Sequence, residues 1–239
     1  MRSATKPFAT IEAKLWRWRF LSGLRRELGK LGLDKALVGR IDQAARAICE
    51  KEQGYIPDRK GVGVLAICAL ALATHRELSK AGVVQASTDN VIRGAFHACF
   101  SSPTRAFVKI VMAFSRDPVS LLGRAKLSRV FVGLFGIGFE FEDRLTENGV
   151  ELRATKCWIY EFFSRHGEPA LTSRLCEWDK NWMKPIQESR HGVTVARTVT
   201  MAASGTPHCE FHFKRSEKKH STFFDIAVVA DSFEKKAGP

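Results

Sequence analysis

VTVARTVTMAASGTPHCEFHFK, residues 193–214, has the outline of a β-hairpin. Val193, Val195, Arg197 and Val199 recur at a spacing of two, and so do Cys209, Phe211 and Phe213. Gly and Pro sit in the ASGTP segment between the two runs. Alternation by two sends successive side chains to opposite faces of a strand. The aromatic row therefore faces a core with Cys209, while His208, Glu210 and His212 face away. Arg197 is a guanidinium in an apolar row. It keeps its charge at any ordinary pH and so requires an anion beside it. Two anions qualify: Asp179, in a buried structural pair, or the carboxylate of a substrate clamped bidentately.

The same logic extends upstream. Phe139, Phe141 and Asp143 alternate with Glu140, Glu142 and Arg144, Asn148-Gly149 is a tight-turn dipeptide, and residues 150–156 make the returning strand. Between the hairpins, residues 157–165 and 169–188 take helical periodicity on either side of His166-Gly167. Hairpin, two helices, hairpin predicts an antiparallel sheet covered by helices on one face. The first half predicts helices over 10–28, 34–53, 62–81, 89–100, 104–115 and 117–130, with Gly82 closing the third and Pro103 in the opening turn of the fifth. Residues 223–230 are a further candidate strand. The expected class is α+β, with a helical region 1–135 packed on an α+β region 136–239, or one continuous domain.

The 239 residues are 45% hydrophobic and 26% charged, which suits a globular chain with a sizeable core. The net charge of +13 is spread along the chain, so no nucleic-acid partner is expected. Residues 17–26 interleave basic and aromatic side chains, the pattern of a basic amphipathic helix for a membrane surface or a partner. No secretory signal is evident, and the apolar runs 62–73 and 130–139 fall short of the roughly 20 residues that span a bilayer. A cytoplasmic chain with reduced thiols is the expectation, and a homo-oligomer stays open. The six cysteines form no CxxC pair, HExxH is absent, and His208 and Cys209 should point to opposite faces. No metal site is expected. No GxGxxG, Walker or GxSxG loop is present, and no cofactor is expected.

Residues 175–183, LCEWDKNWM, concentrate reactive and aromatic side chains. Cys176 and Asp179 share a helix face, as do Trp178 and Trp182. A carboxylate beside an apolar stripe is costly to bury without a partner. Either Asp179 pairs with a neighbouring cation and Cys176 is a small buried hydrophobe, or both face a pocket.

The run from Cys157 to Phe213 resembles the L-2-amino-thiazoline-4-carboxylic acid hydrolase family. Cys157 with Tyr160 and Phe163, then GEPALTSRLCEWD, then VARTVTMAASGTPHCEF carry the resemblance. It implies ring opening of a small cyclic, amidine-type or thioimidate-type carboxylic acid. Cys176 or Cys209 is then the nucleophile and Asp179 the general acid/base. Arg197 holds the substrate carboxylate, with Cys157, Trp178 and Thr198 among the substrate-binding residues. A thiolate near Arg197 would have a lowered pKa. The alternatives are a lyase or cyclase of natural-product (secondary) metabolism on the same pocket, or a non-catalytic small-molecule-binding protein.

Overall fold

Thr10 opens the helical half: its hydroxyl accepts the Ala13 N–H at 3.1 Å and caps α1 (Ile11–Lys30). α2 (Ala36–Glu52), α3 (Gly61–Lys80) and α4 (Gln85–Phe114) follow. The computed structural model describes residues 10–115, 117–119 and 127–216. α5 (Leu127–Phe135) leads into β1 (Phe139–Thr146) and β2 (Gly149–Cys157). Then come α6 (Trp158–Arg165), α7 (Leu171–Cys176), a 3₁₀ turn Glu177–Asp179, α8 (Lys180–Gln187), β3 (Val193–Val199), α9 (Met201–Ser204) and β4 (Cys209–Arg215). The class is α+β, as expected. The predicted strand 223–230 and residues 120–126 of the predicted helix 117–130 lie outside the described residues.

The four strands form one antiparallel sheet in the order β1-β2-β4-β3. Val150, Leu152, Val193, Val195, Phe211 and Phe213 are buried on its inner face against Trp182 and Ile186 of α8 and Met112 of α4. Trp182 lies 5.5 Å from the Phe211 ring and 5.9 Å from the Phe213 ring. A second, larger cluster joins α1 to α4 with Phe139, Trp158, Phe162, Phe163, Leu171 and Leu175. It draws on residues from both sides of position 135. Phe141 and Trp178 pack against both clusters and form the seam between them.

Three expectations change. The helices predicted over 89–100 and 104–115 are one helix, α4, with Pro103 inside it. Proline has no N–H, so the carbonyl one turn back, Cys99 O, loses its helical donor. Arg19 of α1 supplies another, with Nη1 donating to Cys99 O at 3.0 Å. Arg19→Ala should therefore lower stability by about 1 kcal/mol, read as a lower urea midpoint at unchanged slope. Second, residues 169–188 form α7 and α8 with the 3₁₀ turn between them. Third, Glu147-Asn148 makes the β1–β2 turn, and Gly149 already pairs with Thr146. Glycine is required at 149 because a Cβ there would run into the Phe213 carbonyl oxygen of β4.

α3 is long and apolar enough to cross a membrane by length and composition, but 72% of its most apolar stretch is buried inside the fold. It is the axis of the helical cluster. Beside it, Arg17 of α1 donates from Nε to Asp42 Oδ1 of α2 at 2.6 Å. Burial alone would raise the Asp42 carboxyl. Hydrogen bonds and charge from Arg17 and Arg46 outweigh it and hold the carboxyl below its usual value of 3.8. A depressed carboxyl stabilises the fold above the unfolded pKa, and the gain is lost as pH falls through the folded pKa. Asp42→Asn should melt below wild type at neutral pH, and the difference should shrink as melts are run below the ordinary aspartate range.

Candidate functional site

The site is built where the two cores meet. Asp179 ends the 3₁₀ turn between α7 and α8, with Trp178 beside it at the seam. Two buried contacts fix that turn. Asn181, fully buried, donates from Nδ2 to the Trp178 carbonyl at 2.9 Å, and its own Oδ1 accepts from Arg105 Nε of α4 at 2.9 Å. Arg93 of α4 grips Glu177 at 2.7 Å. The turn is thereby pinned to α4 on one side and to the sheet on the other.

Both Asp179 oxygens are used. Oδ1 accepts the Trp182 Nε1–H at 2.9 Å, and Oδ2 accepts from Arg197 Nη1 at 2.7 Å. The same Nη1 donates to the Cys176 carbonyl at 2.9 Å. The pair is not sealed: its side chains keep 16% (Arg197) and 21% (Asp179) of their surface. Burial pushes the Asp179 carboxyl above its usual range, although Arg197 and the Trp182 N–H pull the other way. Of the two partners open to Arg197 in the sequence, the structure supplies Asp179.

Three thiols surround this pair. Cys157 ends β2 and precedes α6, where the Tyr160 and Ile159 N–H groups point at its sulfur. Cys176 ends α7. Cys209 starts β4 and accepts the Met201 N–H at 3.3 Å, which ties it to α9. Arg197 pulls the Cys176 and Cys209 thiols down, as expected, but no thiol is lowered on balance. Burial pushes Cys157 up to about 12 and Cys176 well above its ordinary value, and the Asp179 charge raises both further. Cys209 is raised too, by burial. Desolvation and a nearby carboxylate outweigh one guanidinium already engaged by that carboxylate. The three thiols are therefore protonated at neutral pH.

Thr198 is not brought to the group. β3 carries a bulge there: Arg197 pairs with Phe211 and Val199 with Glu210, leaving Thr198 unpaired and exposed. The bulge also moves Val199 out of the row that the alternation predicted, because its partner Glu210 belongs to the outer face. A second bulge in β2 leaves Thr155 unpaired opposite the Glu140–Phe141 step, two residues before Cys157. Bulges re-aim side chains, and these two flank the site residues Arg197 and Cys157.

Sequence reasoning missed the groups that orient Asp179. Trp182 stands three residues after Asp179, so its indole N–H was within reach of a helix-face argument. Asn181 and Arg105 come from elements far apart in sequence, and no local pattern connects them. Also missed was the open cavity of about 230 Å³ at the end of β2, walled by Lys156, Cys157, Tyr160, Glu161, Met201 and Thr206 among others. Through Cys157 and through Met201, which bonds Cys209, the cavity backs onto the thiol group.

A search of curated proteins gave no match, and neither did a search of solved structures. A model of the family described as L-2-amino-thiazoline-4-carboxylic acid hydrolase matches residues 67–213, from α3 to β4, a span that holds Cys157, Cys176, Asp179, Arg197 and Cys209. The chain belongs to the L-2-amino-thiazoline-4-carboxylic acid hydrolase family.

Proposed function

We propose that this protein hydrolyses a small cyclic, amidine-type carboxylic acid, of which 2-amino-thiazoline-4-carboxylate is the first to test, with Asp179 as the proton-transferring group. The observation that carries this reading is the convergence of Asp179, Arg197 and three thiols inside the matched family span. Water adds to the ring carbon that lies between sulfur and nitrogen, and its proton passes to Asp179. The ring C–N or C–S bond then breaks, and the leaving atom takes a proton, so the product is the substrate plus one water. Arg197 and Trp182 hold the carboxylate in one orientation throughout. Protonated thiols are poor nucleophiles, and this favours water over Cys176 or Cys209 as the attacking group.

Incubation with 2-amino-thiazoline-4-carboxylate should yield a product heavier by one water in the mass spectrum. Cys176→Ser with Cys209→Ser should keep turnover within about tenfold of wild type. Loss of turnover in that double variant, with its fold intact, would show a covalent thiol route instead. No product from wild type would favour a binding protein on the same fold.

A further inference from the structure

The reading above leaves the substrate carboxylate without a partner. Arg197 directs one nitrogen to both Asp179 and the Cys176 carbonyl, and it does not line the cavity. The cavity is lined mostly by apolar surface, with two charged residues on its wall. Among the described residues, Lys156 is the one cation lining it and Glu161 the one anion, with the Tyr160 ring between them in sequence. No described residue pairs with the Glu161 carboxylate or bonds the Tyr160 hydroxyl. Lys156 has a partner, Glu140, with Nζ 3.4 Å from Oε1, but the side chains are 39% and 63% exposed. An ion pair that open to water is weak and readily exchanged for another anion.

We propose that Lys156 and Glu161 are the specificity-determining pair of this site: Lys156 takes the carboxylate of a small ring acid and Glu161 its amino or amidinium group. A cavity of about 230 Å³ is smaller than the roughly 300–1,000 Å³ of pockets for drug-sized ligands, so it suits a single small ring. Opposite charges on two walls select a zwitterion over a simple acid or a simple amine, because each unmatched charge would leave a wall group without its partner. Cys157, on the wall between the end of β2 and α6, brings one of the three thiols to the cavity. This inference takes its ligand class from the proposed reaction, yet it concerns binding, which can be read without turnover.

The probe is L-proline, a small ring acid that carries both charges at neutral pH and has no amidine carbon to attack, compared with L-prolinamide, which keeps the ring ammonium and lacks the carboxylate. Calorimetric titration of wild type should show the acid binding about tenfold or more tighter than the amide. Lys156→Met should abolish that preference and Lys156→Arg should restore most of it. Glu161→Gln should weaken both ligands alike and leave their ratio unchanged. A preference for the acid that persists in Lys156→Met overturns the proposal, and so does the absence of wild-type binding to either compound. Lys156-dependent binding without hydrolysis of 2-amino-thiazoline-4-carboxylate would sink the proposed reaction and leave this inference standing. Hydrolysis with an unchanged KM in Lys156→Met would do the reverse.

Discussion

Asp179→Ala is expected to lose about 2–4 kcal/mol of stability and, on the proposed reaction, to slow turnover by about 10²–10⁴-fold. The stability loss has two sources. The Trp182 N–H loses its acceptor, and the Arg197 guanidinium keeps a charge it cannot shed in a mostly buried position. The partner variant behaves differently. In Arg197→Met the orphan is Asp179, which can take up a proton, and burial already pushes its carboxyl up. A carboxyl raised in the fold gives its stability below the unfolded pKa and loses it as pH rises through the folded pKa. Urea midpoints for Arg197→Met should therefore approach wild type at about pH 5 and fall away at about pH 8, while Asp179→Ala shows no such recovery. Combining Asp179→Leu with Arg197→Met should cost less than the sum of the single changes, since neither charge is then stranded. Additive losses in that cycle would mean that the pair contributes no coupling.

The other large effect lies in packing. Phe162 of α6 is fully buried, edge-on to Phe163 at 5.2 Å and tilted against Trp158 at 5.7 Å. Phe162→Ala should cost about 3–5 kcal/mol, because neighbouring rings cannot close the space left behind. Against a total stability of about 5–15 kcal/mol, that is enough to leave a visible unfolded fraction on mild heating. The consequence reaches the site, since α6 also presents Tyr160 and Glu161 to the cavity and is capped by Cys157. Phe162→Leu, which keeps most of the volume, should recover at least half of the loss and restore binding of the probe acid. If Phe162→Ala melts within about 1 kcal/mol of wild type, α6 is not anchored by this ring.

Much of the sheet was legible because it is patterned locally. Alternation in residues 193–199 and 209–213 gave the strands and their inward faces, and the burial of Val193, Val195, Phe211 and Phe213 follows it. Alternation fails where an extra residue enters a strand, and at Thr198 and Thr155 the phase is reset by pairing with a neighbour that sequence spacing does not reveal. Asn148-Gly149 carried a true signal with a different cause: the glycine accommodates the β4 backbone rather than the turn itself. Pro103 looked like a helix start because its missing N–H is harmless there, and in mid-helix the distant Arg19 supplies the donor that Cys99 O lacks. Cys176, Asp179 and Arg197 were named as a group on helical and strand spacing plus resemblance, and they do converge. Their protonation could not be read the same way, because burial is a property of everything packed around them.

Pro103 divides α4 into two arms with different duties. The first arm lies in the helical cluster with α1, and the second carries Arg105, which grips Asn181 and with it the turn that bears Asp179. A helix bends most readily at a proline, where a rung of its ladder is missing. Arg19 bridges that missing rung from α1. A change confined to α1 at Arg19 is thus expected to reach Asp179 by leverage through α4, without touching the cavity.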